Sequence, residues 1–340
     1  MFTKEDTLVI KGVAILLMIW LHLFIQNEDY TSLFFTKYGG VESLLARAAG
    51  MCVTLYIFLS GYGLYISYTR FPNLQIKKRI VLLYINLFLV AFIFIPLGLY
   101  LNPTLFEVNI KTIASNLIGW NTTWNREWWF LLPYIILICM SKHIFLLIKN
   151  KRTAFPFLIF NFLLYILIFV LSYYNIEFLK THDFIRLLFS VLKLLFAFSL
   201  GAYYADKNVL GQIKNFSHLH YSVSFIMIVV IVLFIVLRSM ISHSIINPFF
   251  GVFFITVLVS IKCPDFIKKI LIILGIHSTN MWLVHTFFCI YIFQDFIYNF
   301  RYSLLIFLVT VLLSLFTSLL IQPIVKRFQQ IVINYYFNFK

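Results

Sequence analysis

A lysine and a histidine stand eleven residues apart within the first apolar segment of the chain, at Lys11 and His22. Eleven residues make about three turns of an α-helix, so both side chains lie on one face, about 16 Å apart along the axis. A cation at one end of such a helix can hold a phosphate-bearing donor at the membrane surface. An imidazole farther along the same face can then act as a base where the far end of the donor arrives.

Three more ionisable residues fall in or beside apolar segments, where they are costly to keep and are therefore functional candidates. Lys193 lies near the centre of the sixth predicted helix, seven residues from Arg186, so the two predict a cationic stripe that faces the bundle interior. Glu127 stands at the outer start of the fourth helix. This carboxylate is a simple interfacial group, pairs with Arg126, or orients His22.

Further candidates have two possible roles each. His285, in the outer half of the ninth helix, serves either helix packing or contact with the acceptor. The basic run Lys77, Lys78 and Arg79 at the start of the third helix either sets membrane topology or binds the phosphates of a nucleotide donor. Trp124 belongs to an aromatic stretch that is typical of a membrane interface.

The composition indicates what kind of scaffold must position these residues. The chain is 62% hydrophobic and 11% charged, with forty Phe residues, which excludes an ordinary soluble protein. Apolar runs of about twenty residues, each able to cross a hydrocarbon core of about 30 Å, recur along its length. We therefore predict an all-α polytopic membrane bundle of ten helices, over residues 7–26, 44–68, 80–100, 128–148, 154–174, 184–205, 221–237, 248–263, 270–293 and 302–325.

The distribution of Lys and Arg predicts the orientation of this bundle. Eighteen of these residues lie on the side of the two termini and eight on the other side, so we expect both termini to be cytoplasmic. This bias explains the net charge of +15, and we expect no nucleic-acid partner. The connections are short, which predicts a single membrane domain over residues 1–340. The first segment contains the candidate chemistry and is not expected to be a cleaved signal.

The sequence predicts no metal site and no resident cofactor. His218 and His220 are two residues apart in a polar segment, but no Cys or carboxylate accompanies them. The four cysteines fall in or beside apolar segments without the spacing of metal ligands or of a disulfide framework, which indicates packing roles. They are Cys52, Cys139, Cys263 and Cys289. Nucleotide-binding loops and a serine-nucleophile elbow are also absent from the sequence.

Five segments, taken in chain order, match the motifs of one known family. They are a basic residue separated from a histidine by ten residues (Lys11 to His22), the Phe-rich Ser-Gly stretch of 55–64, the basic run of 77–79, the Trp…Glu…Pro stretch of 124–133, and the Gly-x-x-Ser…His-x-Phe-Phe element of 275–288. The chain thus resembles the membrane acyltransferase 3 family. Its members move acyl groups, usually acetyl, from coenzyme A to sugars of envelope polysaccharides and related acceptors.

The resemblance implies an O-acetyltransferase of the plasma membrane, in a bacterium, that uses cytoplasmic acetyl-CoA and a saccharide acceptor on the far side. Each candidate residue then has an expected role. The nucleotide end of the donor lies near Lys11, Lys77, Lys78 and Arg79, and its pantetheine arm passes Ser60, Asn86 and Ser278. His22 deprotonates the acceptor, directly or after accepting the acyl group itself. Lys193 stabilises the thioester oxyanion, and the acceptor contacts are His285, Trp124 and Arg186.

Two departures from the family pattern and two rival functions accompany this interpretation. The Trp–Glu spacing around Glu127 is shorter than in many relatives, and no Arg-x-x-Arg motif follows the second helix. One rival, a membrane scaffold without catalysis, leaves His22 and Lys193 unexplained. The other rival is a transporter or flippase for a lipid-linked sugar. Such a protein shares the helices and buried cations, but it explains neither the Lys11–His22 spacing nor the lack of duplicated halves. The acceptor, the acyl chain length and the oligomeric state stay open at this point.

Overall fold

The chain is almost entirely helical in the computed structural model, which describes residues 2–25, 30–32, 35–36, 39–71, 74–218, 221–241 and 243–337. Two strands of two residues each, β1 (Phe35–Thr36) and β2 (Gly39–Gly40), form a small antiparallel hairpin. The α-helices are α1 (Lys4–Phe24), α2 (Val41–Ala49), α3 (Cys52–Arg70), α4 (Ile76–Leu101), α5 (Ile110–Ile118), α6 (Leu131–Lys149), α7 (Lys151–Tyr174), α8 (Ile176–Thr181), α9 (Asp183–Asp206), α10 (Val209–His218), α11 (Tyr221–Met240), α12 (Asn247–Ser260), α13 (Asp265–Thr286), α14 (Gln294–Tyr298) and α15 (Ser303–Phe337).

Eight helical stretches among the described residues are long and apolar enough to cross a membrane. They are Lys4–Phe24, Val41–Arg70, Ile76–Leu101, Arg126–Lys149, Lys151–Tyr174, Asp183–Asp206, Asp265–Tyr291 and Ser303–Asn334. Two shorter apolar helices, Ser224–Met240 and Ser244–Ser260, lie where the seventh and eighth spans were predicted. The all-α polytopic architecture is therefore confirmed. The count of ten spans and the cytoplasmic termini stay predictions.

Two predicted spans differ most clearly from the observed helices, because each was predicted from the length of an apolar run and the helix does not end where the run ends. The predicted span 44–68 is two helices, because α2 ends before Gly50 and α3 begins at Cys52. The last helix, α15, continues twelve residues beyond the predicted end at 325, to Phe337. Its final turns carry charged and polar side chains, and hydrogen bonding along a helix does not require apolar residues.

Helices α1 and α13 pack closely because each contributes a glycine to their contact. A Cβ atom on Gly12 would lie 2.2 Å from the carbonyl oxygen of Leu271, and one on Gly275 would lie 2.1 Å from that of Leu8. Small residues at such contacts let two helix backbones approach each other in a membrane. Any larger residue at either position would push the two helices apart.

These two helices also run in the same direction with a constant register. At one end, Lys268 Nζ donates to Glu5 Oε2 over 2.8 Å, and at the other His285 Nε2 lies 3.0 Å from His22 Nδ1. Both pairs are separated by 263 residues in the chain. The close contact of α1 with α13 therefore fixes the position of His22 against His285.

Two hydrophobic clusters form the interior of the bundle. One combines residues of α3, α6, α9 and α12, and the other combines residues of α1, α4, α13 and α15. Val53, Tyr56 and Phe130 pack against both clusters. The same three residues line a cavity, which therefore lies where the two halves of the core meet.

Candidate active site

A cavity of about 470 Å³ brings together side chains from six parts of the chain. Its polar and charged lining comes from α1, α3, α4, α6, α13 and the 3₁₀ segment Arg126–Phe130 that leads into α6. Aromatic and aliphatic side chains complete the wall. The lining residues are Lys11, Met18, Leu21, His22, Cys52, Val53, Tyr56, Ser60, Arg79, Leu82, Leu83, Glu127, Trp129, Phe130, Tyr134, Ile138, Ser278, Thr279 and Trp282.

His22 and Glu127 form a pair in this cavity. The Nε2 atom of His22 lies 3.0 Å from Oε2 of Glu127, and the two side chains are only 13% and 23% exposed. Arg126, the alternative partner of the carboxylate, has an exposed side chain and forms no ion pair with Glu127 within the described chain. Of the two predicted partners for Glu127, the structure places His22 beside it.

The backbone around Glu127 is held to α13 by side chains that sequence reasoning missed. Asn125, which is fully buried, accepts a hydrogen bond from the Glu127 amide (3.1 Å) through Oδ1 and donates one to Thr286 Oγ1 (2.7 Å) through Nδ2. Trp282 Nε1 donates to the Glu127 carbonyl over 3.2 Å. An Asn immediately before a helical segment is a typical cap, so its position was a usable signal.

His285 lies behind His22 and outside the cavity wall. It is fully buried, and its Nε2 atom is 3.0 Å from His22 Nδ1. Its Nδ1 atom is 2.9 Å from the carbonyl oxygen of Trp282 and 3.1 Å from that of Met281. Of the two roles predicted for His285, this position favours helix packing, because His22 and the α13 backbone occupy both of its ring nitrogens.

The basic residues predicted to bind the donor divide into two groups. Lys11 and Arg79 line the cavity, whereas Lys77 and Lys78 do not. The Lys11 ammonium group has no hydrogen-bond or ion-pair partner among the residues that the structure describes. Arg79 Nε donates to the carbonyl of Leu74 over 3.0 Å, and its Nη2 donates to Ser67 Oγ over 3.4 Å. Two cations in one lining, one of them without a partner among the described residues, make the cavity suitable for an anion.

Two of the three residues predicted along the pantetheine arm, Ser60 and Ser278, line the same cavity as Lys11 and the His22–Glu127 pair, and the path itself stays a prediction. Both hydroxyl groups donate to backbone carbonyls of their own helices, over 2.8 and 2.9 Å. Asn86 does not reach the cavity, because its side-chain amide donates to the carbonyl of Leu82 over 2.7 Å.

Lys193 and Arg186 do not form the predicted interior stripe. The Lys193 ammonium lies over the ring of Phe169, 5.7 Å from its centroid, and Lys193 does not line the cavity. Arg186 pairs with Asp183 over 2.6 Å on the same helix. The physical reason is local, since an aromatic face and a neighbouring carboxylate attract each cation away from the bundle interior.

Trp124 also lies away from the cavity, and the neighbouring Trp129 lines it instead. Trp124 is 3% exposed, and its Nε1 donates to the carbonyl of Glu107 over 2.9 Å. Trp129 is 38% exposed and lines the cavity next to Glu127. The aromatic stretch thus divides into a buried structural anchor and an accessible surface, which residue type alone does not distinguish.

The cavity lining combines two cationic side chains, serine hydroxyl groups, the His22–Glu127 pair and several aromatic rings. In the described ranges, no three His, Cys, Asp or Glu side chains are placed to hold a metal ion. A family model described as an acyltransferase domain matches residues 9–322 of the chain. Searches of curated proteins and of solved structures give no match.

Proposed function

The chain belongs to this acyltransferase family, as its motifs indicated, and we propose that it moves an acetyl group from cytoplasmic acetyl-CoA to a hydroxyl group of a saccharide. The acceptor is displayed on the other side of a bacterial plasma membrane. One observation carries this proposal. A single cavity joins the unpaired ammonium of Lys11 to the acid–base pair formed by His22 and Glu127.

The cationic end of the cavity is suited to the phosphates of the donor. Lys11 and Arg79 supply two positive charges there, and anions are favoured beside cations in a partly buried site, where water screens them little. His22 lies about 16 Å farther along α1, so the reactive thioester reaches the acid–base pair only if the donor is long. Ser60 and Ser278 line the same cavity and offer polar contacts to the donor arm.

The other end of the cavity is suited to a sugar. Trp129, Phe130 and Trp282 line the same cavity as Glu127, so the cavity offers flat apolar surfaces together with a carboxylate. The C–H face of a pyranose packs on such rings, while its hydroxyl groups point to the edge and meet polar groups. This arrangement would hold one hydroxyl group of the acceptor against the acid–base pair.

The proposed reaction is a direct acyl transfer. The acceptor oxygen attacks the thioester carbon, a C–O bond forms, and the C–S bond breaks. The hydroxyl proton passes to the His22–Glu127 pair and from there to the sulfur, which leaves as the free thiol of coenzyme A. Burial of the pair keeps competing water away and strengthens its electrostatic interactions.

Purified protein in detergent or nanodiscs tests this proposal when it is supplied with acetyl-CoA and a saccharide extract of the cell envelope. We expect release of free CoA thiol together with acetate esters on the glycan, both absent with the His22→Ala variant. The rival transporter function would instead move a lipid-linked sugar without releasing CoA. Sugar movement without CoA release, from a folded protein that binds its substrate, would refute the acyltransferase proposal.

A further inference from the structure

The hydrogen bonds of His285 determine which of its ring nitrogens carries a proton. Its Nδ1 atom faces the carbonyl oxygens of Trp282 and Met281, and carbonyl oxygens only accept, so Nδ1 must donate. The side chain is fully buried, and no carboxylate lies within ion-pair distance of it among the described residues. A charged imidazolium is costly in such surroundings. His285 is therefore neutral, and its Nε2 atom carries a lone pair.

The protonation of His285 determines which ring nitrogen of His22 carries a proton. Because His285 Nε2 is an acceptor, the Nδ1 atom of His22 at 3.0 Å must donate to it. His22 Nε2 then faces Oε2 of Glu127 at 3.0 Å. If neither His22 Nε2 nor Glu127 Oε2 carried a proton, their lone pairs would repel each other at this distance, and if both did, the two protons would clash. One proton therefore lies between the two atoms. His22 and Glu127 thus share a single proton.

Both ring nitrogens of His22 are occupied by these contacts, whereas the carboxylate of Glu127 has an oxygen to spare. Oε1 forms no hydrogen bond within the described part of the chain, and it is not among the buried polar atoms that lack a partner. Glu127 lines the cavity, so this oxygen is accessible from it. An acceptor hydroxyl group that enters the cavity therefore meets Oε1 of Glu127 and not a nitrogen of His22.

We infer that His285 is a positioning residue that keeps His22 Nε2 turned towards Glu127, so that Glu127 receives the proton of the acceptor hydroxyl group. This inference rests on the proposed acyl transfer, and it adds that Glu127 receives the proton while His285 positions His22. As the acceptor oxygen bonds to the thioester carbon, its proton moves to Oε1, and His22 balances the charge from the other side. When the C–S bond breaks, the proton passes to the thiolate.

Two substitutions at His285 separate the hydrogen bond from mere packing. His285→Leu fills the space without an acceptor, and His285→Gln places an amide oxygen at about the reach of the lost Nε2 atom. His277→Leu is the matched control, since His277 is also on α13, is 9% exposed and is bonded to Ser318 over 2.9 Å without contacting His22. The measurements are kcat, the KM for acetyl-CoA and the melting temperature of each purified protein.

We expect His285→Leu to lower kcat by about 10²-fold with little change in KM, since general acid–base groups act in the transition state. His285→Gln should regain at least a tenth of wild-type kcat. His277→Leu should lower the melting temperature while kcat is kept. Wild-type kcat in His285→Leu would overturn the inference and leave acyl transfer intact. A folded His285→Gln no better than His285→Leu would overturn it too. Absence of CoA release from the wild-type protein would refute the proposed function itself.

Discussion

Glu127 Oε2 lies 3.0 Å from His22 Nε2, and this pair joins the first helix of the bundle to the segment that leads into α6. The contact depends on two separate constraints. Glycines bring α1 against α13, and Asn125 ties the Glu127 segment to Thr286 of the same α13. Helix α13 is therefore the common support on which both members of the pair are positioned.

His22 and Glu127 should behave as one catalytic unit. We expect His22→Ala and Glu127→Gln each to lower kcat by about 10²- to 10⁴-fold, and the double variant to lose little more than either single one. Steady-state kinetics on the purified proteins measures this. His143→Ala, at an exposed position of α6, should keep wild-type kcat. Additive losses in the double variant would mean that the two residues act independently.

The donor end should depend on Lys11 and Arg79 but not on their basic neighbours. We expect Lys11→Ala and Arg79→Ala to raise the KM for acetyl-CoA with little effect on kcat, because phosphate contacts remote from the thioester contribute uniform binding. Lys77→Ala is the control, since Lys77 is exposed and does not line the cavity. An equal rise in KM for the control would point to a general surface charge effect.

Trp129 should matter for the acceptor. Trp129→Ala is expected to raise the KM for the saccharide about tenfold or more, because it removes an aromatic surface beside Glu127. Trp120→Ala is a closely matched control, since Trp120 is 40% exposed against 38% for Trp129 but does not line the cavity. Kinetics with varied acceptor at saturating acetyl-CoA distinguishes the two. Similar effects of both substitutions would assign Trp129 to membrane anchoring.

The sequence predicted the scaffold and the two ends of the site better than the contacts between them. The lengths of the apolar runs predict spanning helices directly. The spacing of Lys11 and His22 predicts their relative position because both residues belong to one helix. The neighbour of His285 depends on how α1 and α13 pack, and nothing local in the sequence determines that packing. The sequence also left open whether the acyl group moves directly to the acceptor or passes through an acyl-histidine intermediate.

Side-chain environment explains the remaining differences. Lys193 and Trp124 are of suitable types for their predicted roles, but an aromatic ring holds one and a backbone carbonyl holds the other. The residue type determines which contacts a side chain can make, but its neighbours in the fold determine whether its polar group is available to a substrate. Glu127 was ambiguous for the same reason, because its partner comes from a distant helix.

The occupied nitrogens of His22 predict direct transfer without an acyl-enzyme. Both Nδ1 and Nε2 are within 3.0 Å of partners, so neither is free to take the acetyl group. We expect no exchange of radiolabelled CoA into acetyl-CoA when the acceptor is absent. An acyl-histidine would catalyse this exchange at a rate comparable to turnover, and its detection would contradict the direct mechanism.

Transfer from one side of the membrane to the other is the central claim, and radiolabelled acetyl-CoA added to sealed membrane vesicles tests it most directly. The vesicles come from cells that lack the protein and are complemented with the wild-type chain or with Glu127→Gln. Inside-out vesicles with the wild-type chain should acquire alkali-labile acetate on their glycans, and those with Glu127→Gln should not. Right-side-out vesicles should stay unlabelled until they are opened. Equal labelling with Glu127→Gln, or labelling of sealed right-side-out vesicles, would contradict the account.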